Sequence, residues 1–304
     1  MSNNYRLKKM CEIHFHEDGV NFVTSFPSGN IISVSNDRSI KIFDNINFKI
    51  IQNIQNAHSK ELTSVDVKDE NTFVTSSSDE SLKLWIQKDN KYINNKTIQD
   101  AHDDDINKVI FCSNGNLISC SWDYSVRIWK ENNGDYENIK KLKHTDTVGS
   151  VLFLEDKNIL VSAAQDGTKL WSLDKNDVNC DNITELKFFN ETFCEWSHHL
   201  CRLNEDIIIV KGSNINQLIL ISLSKKEIIQ EIDNTFECYS LGVIKFIPIF
   251  LVGGERNIRV YRKDNFECIQ KIDSVHSNVN GFYELKNKYI ASFSYDKSIK
   301  IWNI

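Results

Sequence analysis

The stretch Ser119–Lys130, "SCSWDYSVRIWK", sets one carboxylate, Asp123, between two tryptophans, Trp122 and Trp129. Its second half alternates, with Val126 and Ile128 on one face, which is the period of a strand. Two large rings on so short a run suggest two roles. One ring holds the fold and the other faces a partner. Which ring does which depends on whether the stretch recurs.

It does. It reads "SNDRSIKIFD" at Ser35–Asp44, "SSDESLKLWI" at Ser77–Ile86, "AQDGTKLWS" at Ala164–Ser172, "GERNIRVYR" at Gly254–Arg262 and "SYDKSIKIWN" at Ser294–Asn303. The acidic position falls at Asp37, Asp79, Asp123, Asp166, Glu255 and Asp296, with gaps of 42, 44, 43, 89 and 41 residues. The gap of 89 spans two periods. A drifted copy therefore lies near "VKGSNINQLILIS", Val210–Ser222, with Asn214 or Ile215 at the acidic position, and the copies number seven. Each copy holds short alternating runs separated by turn residues, as in "CSNGN" and "LEDKN". Runs of this kind are strands. Four strands per roughly 42 residues fit one blade of a propeller.

A histidine stands about 21 residues before each clear Asp: His16, His58, His102, His144 and His276. A hydroxyl stands four residues before it: Ser33, Thr75, Ser119, Ser162 and Ser292. With these residues the chain resembles the WD-repeat propellers over essentially its whole length. The resemblance implies an all-β, seven-bladed β-propeller of four-stranded antiparallel blades. The approximate blades are 14–56, 57–100, 101–143, 144–190, 191–233, 234–275, and 276–304 completed by 4–13, in one domain spanning 1–304. It also implies a buried hydrogen-bonded tetrad in four blades. These are His58/Thr75/Asp79/Trp85, His102/Ser119/Asp123/Trp129, His144/Ser162/Asp166/Trp171 and His276/Ser292/Asp296/Trp302. Blade one has His16, Ser33 and Asp37 but Phe43 in place of Trp. Blades five and six depart further, with Ile221 and Tyr261 at the Trp position and Lys211 and Leu251 at the hydroxyl position.

The last copy ends after its third strand, at "IKIWNI". At the other end, Arg6–Ile13 precedes the first His and has no strand of its own copy to join. We expect it to pair beside Ile299–Trp302 as the missing fourth strand, which closes the ring without an open seam.

Composition narrows the function. The 304 residues are 40% hydrophobic and 26% charged, and the net charge is −6. A phosphate backbone calls for a basic face, so no nucleic-acid partner is expected. The longest apolar runs, such as Phe246–Val252, fall far short of the roughly 20 residues of a membrane span, so no membrane partner is expected. The N-terminus lacks the apolar core of a signal peptide. The eight cysteines show no CxxC pair and read as reduced thiols of a cytoplasmic or nuclear protein.

Several signals carry a functional and a structural reading. The His–Ser/Thr–Asp sets have the residue types of a catalytic triad. A set repeated in many blades, its hydroxyl engaged by Trp, reads as structure. Cys194, His198, His199 and Cys201 in "CEWSHHLC" are zinc-type ligands, but their spacing fits no closed site and they read as a drifted part of blade five. "AHDDDI", Ala101–Ile106, reads as a solvated loop that gives one rim an acidic sector. Ser172–Phe189 reads as an extended connection.

The residue before the Asp is Trp122 in the opening stretch. Its equivalents are Asn36, Ser78, Gln165, Gly254 and Tyr295, with Ser213 or Asn214 in the drifted blade. The resemblance implies that this position points into the mouth of the ring. Aromatic residues dominate binding hot spots. The expected partner-binding residues are Trp122, Tyr295, Asn36, Ser78, Gln165, Asp105 and Glu61. The expectation is a non-catalytic scaffold or adaptor that needs no cofactor or metal. It would act as a monomer within a larger complex and bind protein or peptide partners on its top face. The alternatives are a substrate-recognition or assembly subunit of such a complex and, with less support, an enzyme. No paired arginine for lipid headgroups and no Trp-Asp-x-Arg tail occurs.

Overall fold

The second run of each copy is almost wholly apolar or small: "IISVS", "TFVTSS", "LISCS", "ILVSAA", "IIIVK", "IFLVG" and "IASFS". A short run of this kind suits a strand covered on both faces. In the computed structural model these seven strands are buried along nearly their whole length, while the fourth strands, such as Ile50–Ile54 and Glu227–Asp233, are mostly exposed. The structure describes residues 5–174, 177, 180–194, 199–214, 216–233 and 237–304. These form 27 strands and no helix.

Five blades are separate four-stranded antiparallel sheets. The sixth and seventh are joined, because one strand, Cys268–Glu284, ends blade six and begins blade seven. The chain's first strand, Lys8–Ile13, pairs antiparallel with the last, Ile299–Asn303, from Lys8 opposite Asn303 to Ile13 opposite Ile299. The ring is therefore a closed seven-bladed propeller, fastened by its two termini.

The apolar side chains fall into seven clusters, one per blade-to-blade interface. Phe26, Ile32 and Val34 of blade one meet Leu62, Phe73 and Trp85 of blade two. Ile13, Phe293 and Ile301 of blade seven meet Val20, Val23 and Phe43 of blade one. Each fully buried side chain of this size contributes about 1.5–3 kcal/mol.

A second device links the blades around the upper end of the channel. In blades one, two, three, four and seven the innermost strand carries a β-bulge near its start. The extra residue aims at the next blade. Asn280 Nδ2 donates to Val20 O (2.9 Å), Asn21 Nδ2 to Leu62 O (2.7 Å) and Asn107 Nδ2 to Val148 O (2.8 Å). Thr63 Oγ1 donates likewise to Ile106 O. A bulge re-aims a side chain that would otherwise point away, here into a circumferential hydrogen bond. In blade four this residue is Gly149, which has no side chain to offer.

Blade five departs most. Thr192 bridges Gly212, and Leu200–Arg202 pairs with Ile208–Val210, so its inner strand is made of two pieces. His198 and Ile215 lie outside the described residues.

Candidate partner-binding site

In blade three, Trp129 Nε1 donates to Ser119 Oγ at 2.9 Å, Ser119 Oγ meets His102 Nε2 at 2.7 Å, and His102 Nδ1 meets Asp123 at 2.9 Å. An indole can only donate, so the serine hydroxyl keeps its proton for Nε2. The ring proton then lies on Nδ1, facing the carboxylate. The same order runs through Trp85, Thr75, His58 and Asp79, through Trp171, Ser162, His144 and Asp166, and through Trp302, Ser292, His276 and Asp296. In blade one His16 bonds Ser33 and Asp37, and the buried Phe43 stands where the indole would.

The carboxylate also closes the turn that follows. Asp123 accepts from the amide and hydroxyl of Ser125, and Asp37, Asp79 and Asp296 accept likewise from Ser39, Ser81 and Ser298. These bonds hold the intervening Arg38, Glu80, Tyr124 and Lys297 in the left-handed region, at φ of 63°, 66°, 66° and 69°, which non-glycine residues seldom occupy. Burial opposes charge on the carboxylates, but hydrogen bonds from the histidine and from a nearby serine, or from Thr145 in the case of Asp166, outweigh it. They hold Asp37, Asp79, Asp123 and Asp296 far below the usual carboxylate range and Asp166 at about 2. Burial also lowers the pKa of His16, His58, His102 and His276, and the facing carboxylates oppose this only in part.

Strand register corrects the reading of blades five and six. Ile221 faces Ile208 and Tyr261 faces Phe250, as Trp129 faces Leu117. The hydroxyl position is then Val210 and Val252, not Lys211 and Leu251. The following connection is one residue longer in blade five and one shorter in blade six, so counting back from the acidic position misses by one. Register also shows a repeated basic residue opposite the hydroxyl position, which is Val252 in blade six: Lys41, Lys83, Arg127, Lys169, Arg259 and Lys300. Lys83 donates to Ala57 O at 2.7 Å and Lys169 to Lys143 O at 3.1 Å, and Lys300 donates to Val275 O. Each of these carbonyls immediately precedes a network histidine. Arg127 instead bonds Asp103 and Asp123, at 2.8 and 3.0 Å.

The networks set the height of the residue before each Asp. The amide of Trp122 donates to Asp105 O (2.9 Å), that of Ser78 to Glu61 O (3.0 Å), that of Asn36 to Gly19 O (2.9 Å), that of Gln165 to Thr147 O (3.0 Å) and that of Ser213 to Glu191 O (2.9 Å). Ser213 thereby takes this position in blade five. Trp122, Tyr295, Asn36, Ser78, Asp105 and Glu61 come together around one cavity of about 390 Å³ at the upper mouth. Gln165 does not line it. Trp122 is half-buried, whereas Tyr295 is 42% exposed. Tyr295 rests on Gly19, where a Cβ would meet Tyr295 Cδ1 at 2.7 Å. Trp129, ten residues from Ser119, is only 4% exposed. The two rings of the opening stretch thus face different surroundings.

The mouth also contains residues that sequence reasoning missed: Asn21, Thr63, Asn107, Asn280, Asn278 and Tyr239. The first three stand five residues after the blade histidine, so the repeat phase could have found them. Tyr239 belongs to a blade with no network histidine and carried no such signal. Its hydroxyl donates to Glu237 at 3.0 Å.

Of the remaining cluster, Cys194 and His199 are buried. The Cys201 thiol donates to Leu241 O at 3.4 Å. Burial pushes the Cys201 thiol up to about 11. Among the described residues no three His, Cys, Asp or Glu side chains are arranged to hold a metal.

The family model "WD domain, G-beta repeat" matches residues 7–44, 49–85, 94–130 and 266–303. The chain is a WD-repeat propeller. The first matched unit begins one residue before the closing strand and the last ends with the last residue of its partner strand. A similar solved structure is the WD40 β-propeller domain of Doa1, with 18% identity, a TM-score of 0.76, and cover of 98% of this chain and 97% of that one. At that identity the likeness is one of fold. In all, 1671 chains of known structure match this WD-repeat propeller, so fold alone selects no partner. No curated protein sequence matches the chain.

Proposed function

We propose that this WD-repeat propeller is a non-catalytic scaffold that seats a protein or linear peptide on its top face, centred on the cavity between Trp122 and Tyr295. WD40 propellers serve generally as protein-interaction scaffolds and are typically non-catalytic. The observation that carries the reading is that one concave site collects three aromatic rings and a set of amide, hydroxyl and carboxylate side chains at one end of the ring. A triad chemistry has no comparable support. Ser119, Ser162 and Ser292 are 0% exposed, and each hydroxyl is shared between an indole and an imidazole. The eight thiols and acidic composition fit action in the cytoplasm or nucleus, as one subunit of a larger complex.

The test separates binding from folding. Trp122→Ala and Tyr295→Ala should each leave the melting temperature within a few degrees of the parent. Each should reduce recovery of the partner from an extract of the source cells, by about 2 kcal/mol or more if the ring is a hot spot. Quantitative pull-down beside thermal unfolding reads both. Variants that unfold early, or that retain every partner, would remove the reason for placing the site here.

A further inference from the structure

The upper cavity has a charge as well as a shape. Three rings line it, Trp122, Tyr239 and Tyr295, together with the carboxylates of Glu61 and Asp105. The other lining groups are amides and hydroxyls, and no Lys, Arg or His is among the described lining residues. Glu61 and Asp105 occupy the same position in adjacent blades, each pinned by its carbonyl. Asp105 is partly buried. Its carboxyl is pushed up by burial, with Asp104 and Glu61 adding to the shift and the Ser78 hydrogen bond and nearby Lys60 opposing it. Glu61 beside it is exposed, and two like charges that face one mouth are relieved by a cation. Aromatic faces also attract cations. A neutral occupant would strip water from the carboxylates without replacing it, and an anionic one would be repelled.

We propose that this cavity receives a basic side chain, arginine or lysine, presented by a peptide or protein partner. The proposal rests on the top-face reading given above and specifies what that face selects. The volume, about 390 Å³, lies near the small end of the roughly 300–1,000 Å³ of ligand pockets. It suits one long side chain with its flanking backbone. The rings supply the walls for the aliphatic stem, and the two carboxylates meet the charged head.

The experiment uses the full chain and fluorescence polarisation with four labelled pentapeptide libraries. Their flanks are randomised and their central residue is fixed as Arg, Lys, Gln or Glu. The Arg or Lys library should bind about tenfold more tightly than Gln, and Glu most weakly, with the preference shrinking as salt rises. Glu61→Gln combined with Asp105→Asn, checked for an unchanged melting temperature, should bring the basic libraries down to the level of Gln and leave Gln itself unmoved. If Gln binds as tightly as Arg and Lys, and Trp122→Ala weakens all of them, the mouth is a peptide site and the cationic guest is wrong. If Trp122→Ala changes binding of none of the libraries, or none binds, the top-face reading fails and this proposal with it.

Discussion

Removal of residues 1–13 should leave a chain that no longer folds cooperatively at the temperature where the parent is fully native. The strand Lys8–Ile13 supplies the fourth strand of blade seven and covers the edge of Ile299–Asn303. Leu7 and Ile13 are buried, Leu7 among Leu251, Phe282 and Trp302 and Ile13 among Phe293 and Ile301. Gln270 clasps the backbone of Leu7 at both ends of its amide, at 2.7 and 3.1 Å, which ties this segment to blade six as well. Each lost apolar side chain costs about 1.5–3 kcal/mol, and each lost ladder hydrogen bond about 1 kcal/mol net. The total is comparable to the whole stability of an ordinary domain, about 5–15 kcal/mol. The bared edge also offers backbone groups to other chains, so aggregation should accompany the loss. Calorimetry and light scattering on both chains check this. A truncated protein that melts with the parent and stays monomeric would contradict the closure.

Acid should weaken the propeller well before ordinary carboxylates titrate. His16, His58, His102 and His276 have folded pKa values below the reference of 6.5. The unfolded chain therefore binds more protons than the folded one once the pH falls below about 6.5, and stability drops with pH. The contribution is on the order of 1 kcal/mol per histidine over the first pH unit or so below that point. Asp66 acts in the opposite sense. Burial raises its carboxyl to about 6, so the folded state takes up that proton first and gains from it between about 6 and 4. Asp105, its carboxyl also raised by burial, acts in the same sense as Asp66, and two carboxyls against four histidines leave a net loss, equivalent to about 5–10 °C in melting temperature between pH 7 and 5. A second fall should begin below pH 4. There the network aspartates, all with depressed pKa values, lose the stabilisation that they provide as carboxylates. A melting temperature that is flat from pH 7 to 5 would contradict the assignment of buried neutral histidines.

The fold was legible because each network needs the same residue types at the same spacing, and a period near 42 residues survives wherever that need is met. Asp123, His102, Ser119 and Trp129 could be named from one copy once five others lay in phase. The closing strand was legible because the last copy lacked a strand and the first segment lacked a blade. Register was less visible where the network is missing. Val210 and Val252 pack by size alone, and a change of one residue in the turn length left no mark in the sequence. The candidate mouth was half visible. Trp122, Tyr295, Asn36 and Ser78 follow from the repeat, as do Glu61 and Asp105 on the facing loops. Tyr239 reaches the same cavity from a blade that has drifted, and the bulge residues Asn21, Thr63 and Asn107 depend on an extra residue in the strand that alternation alone does not show. Gln165 has the right position in its blade and still does not line the cavity.

The central claim, that the partner sits on the mouth lined by Trp122 and Tyr295, is tested most directly by hydrogen exchange on the full chain. The chain is compared alone and when saturated with the tightest-binding pentapeptide library. The account predicts slowed exchange in the segments around Asn36, Ser78, Asp105, Trp122, Tyr239 and Asn280, all at the upper mouth. Exchange should be unchanged around Phe246 and Leu285–Lys288, which line the opposite mouth. Protection confined to that lower mouth, or to the outer strands such as Ile50–Ile54, would contradict it.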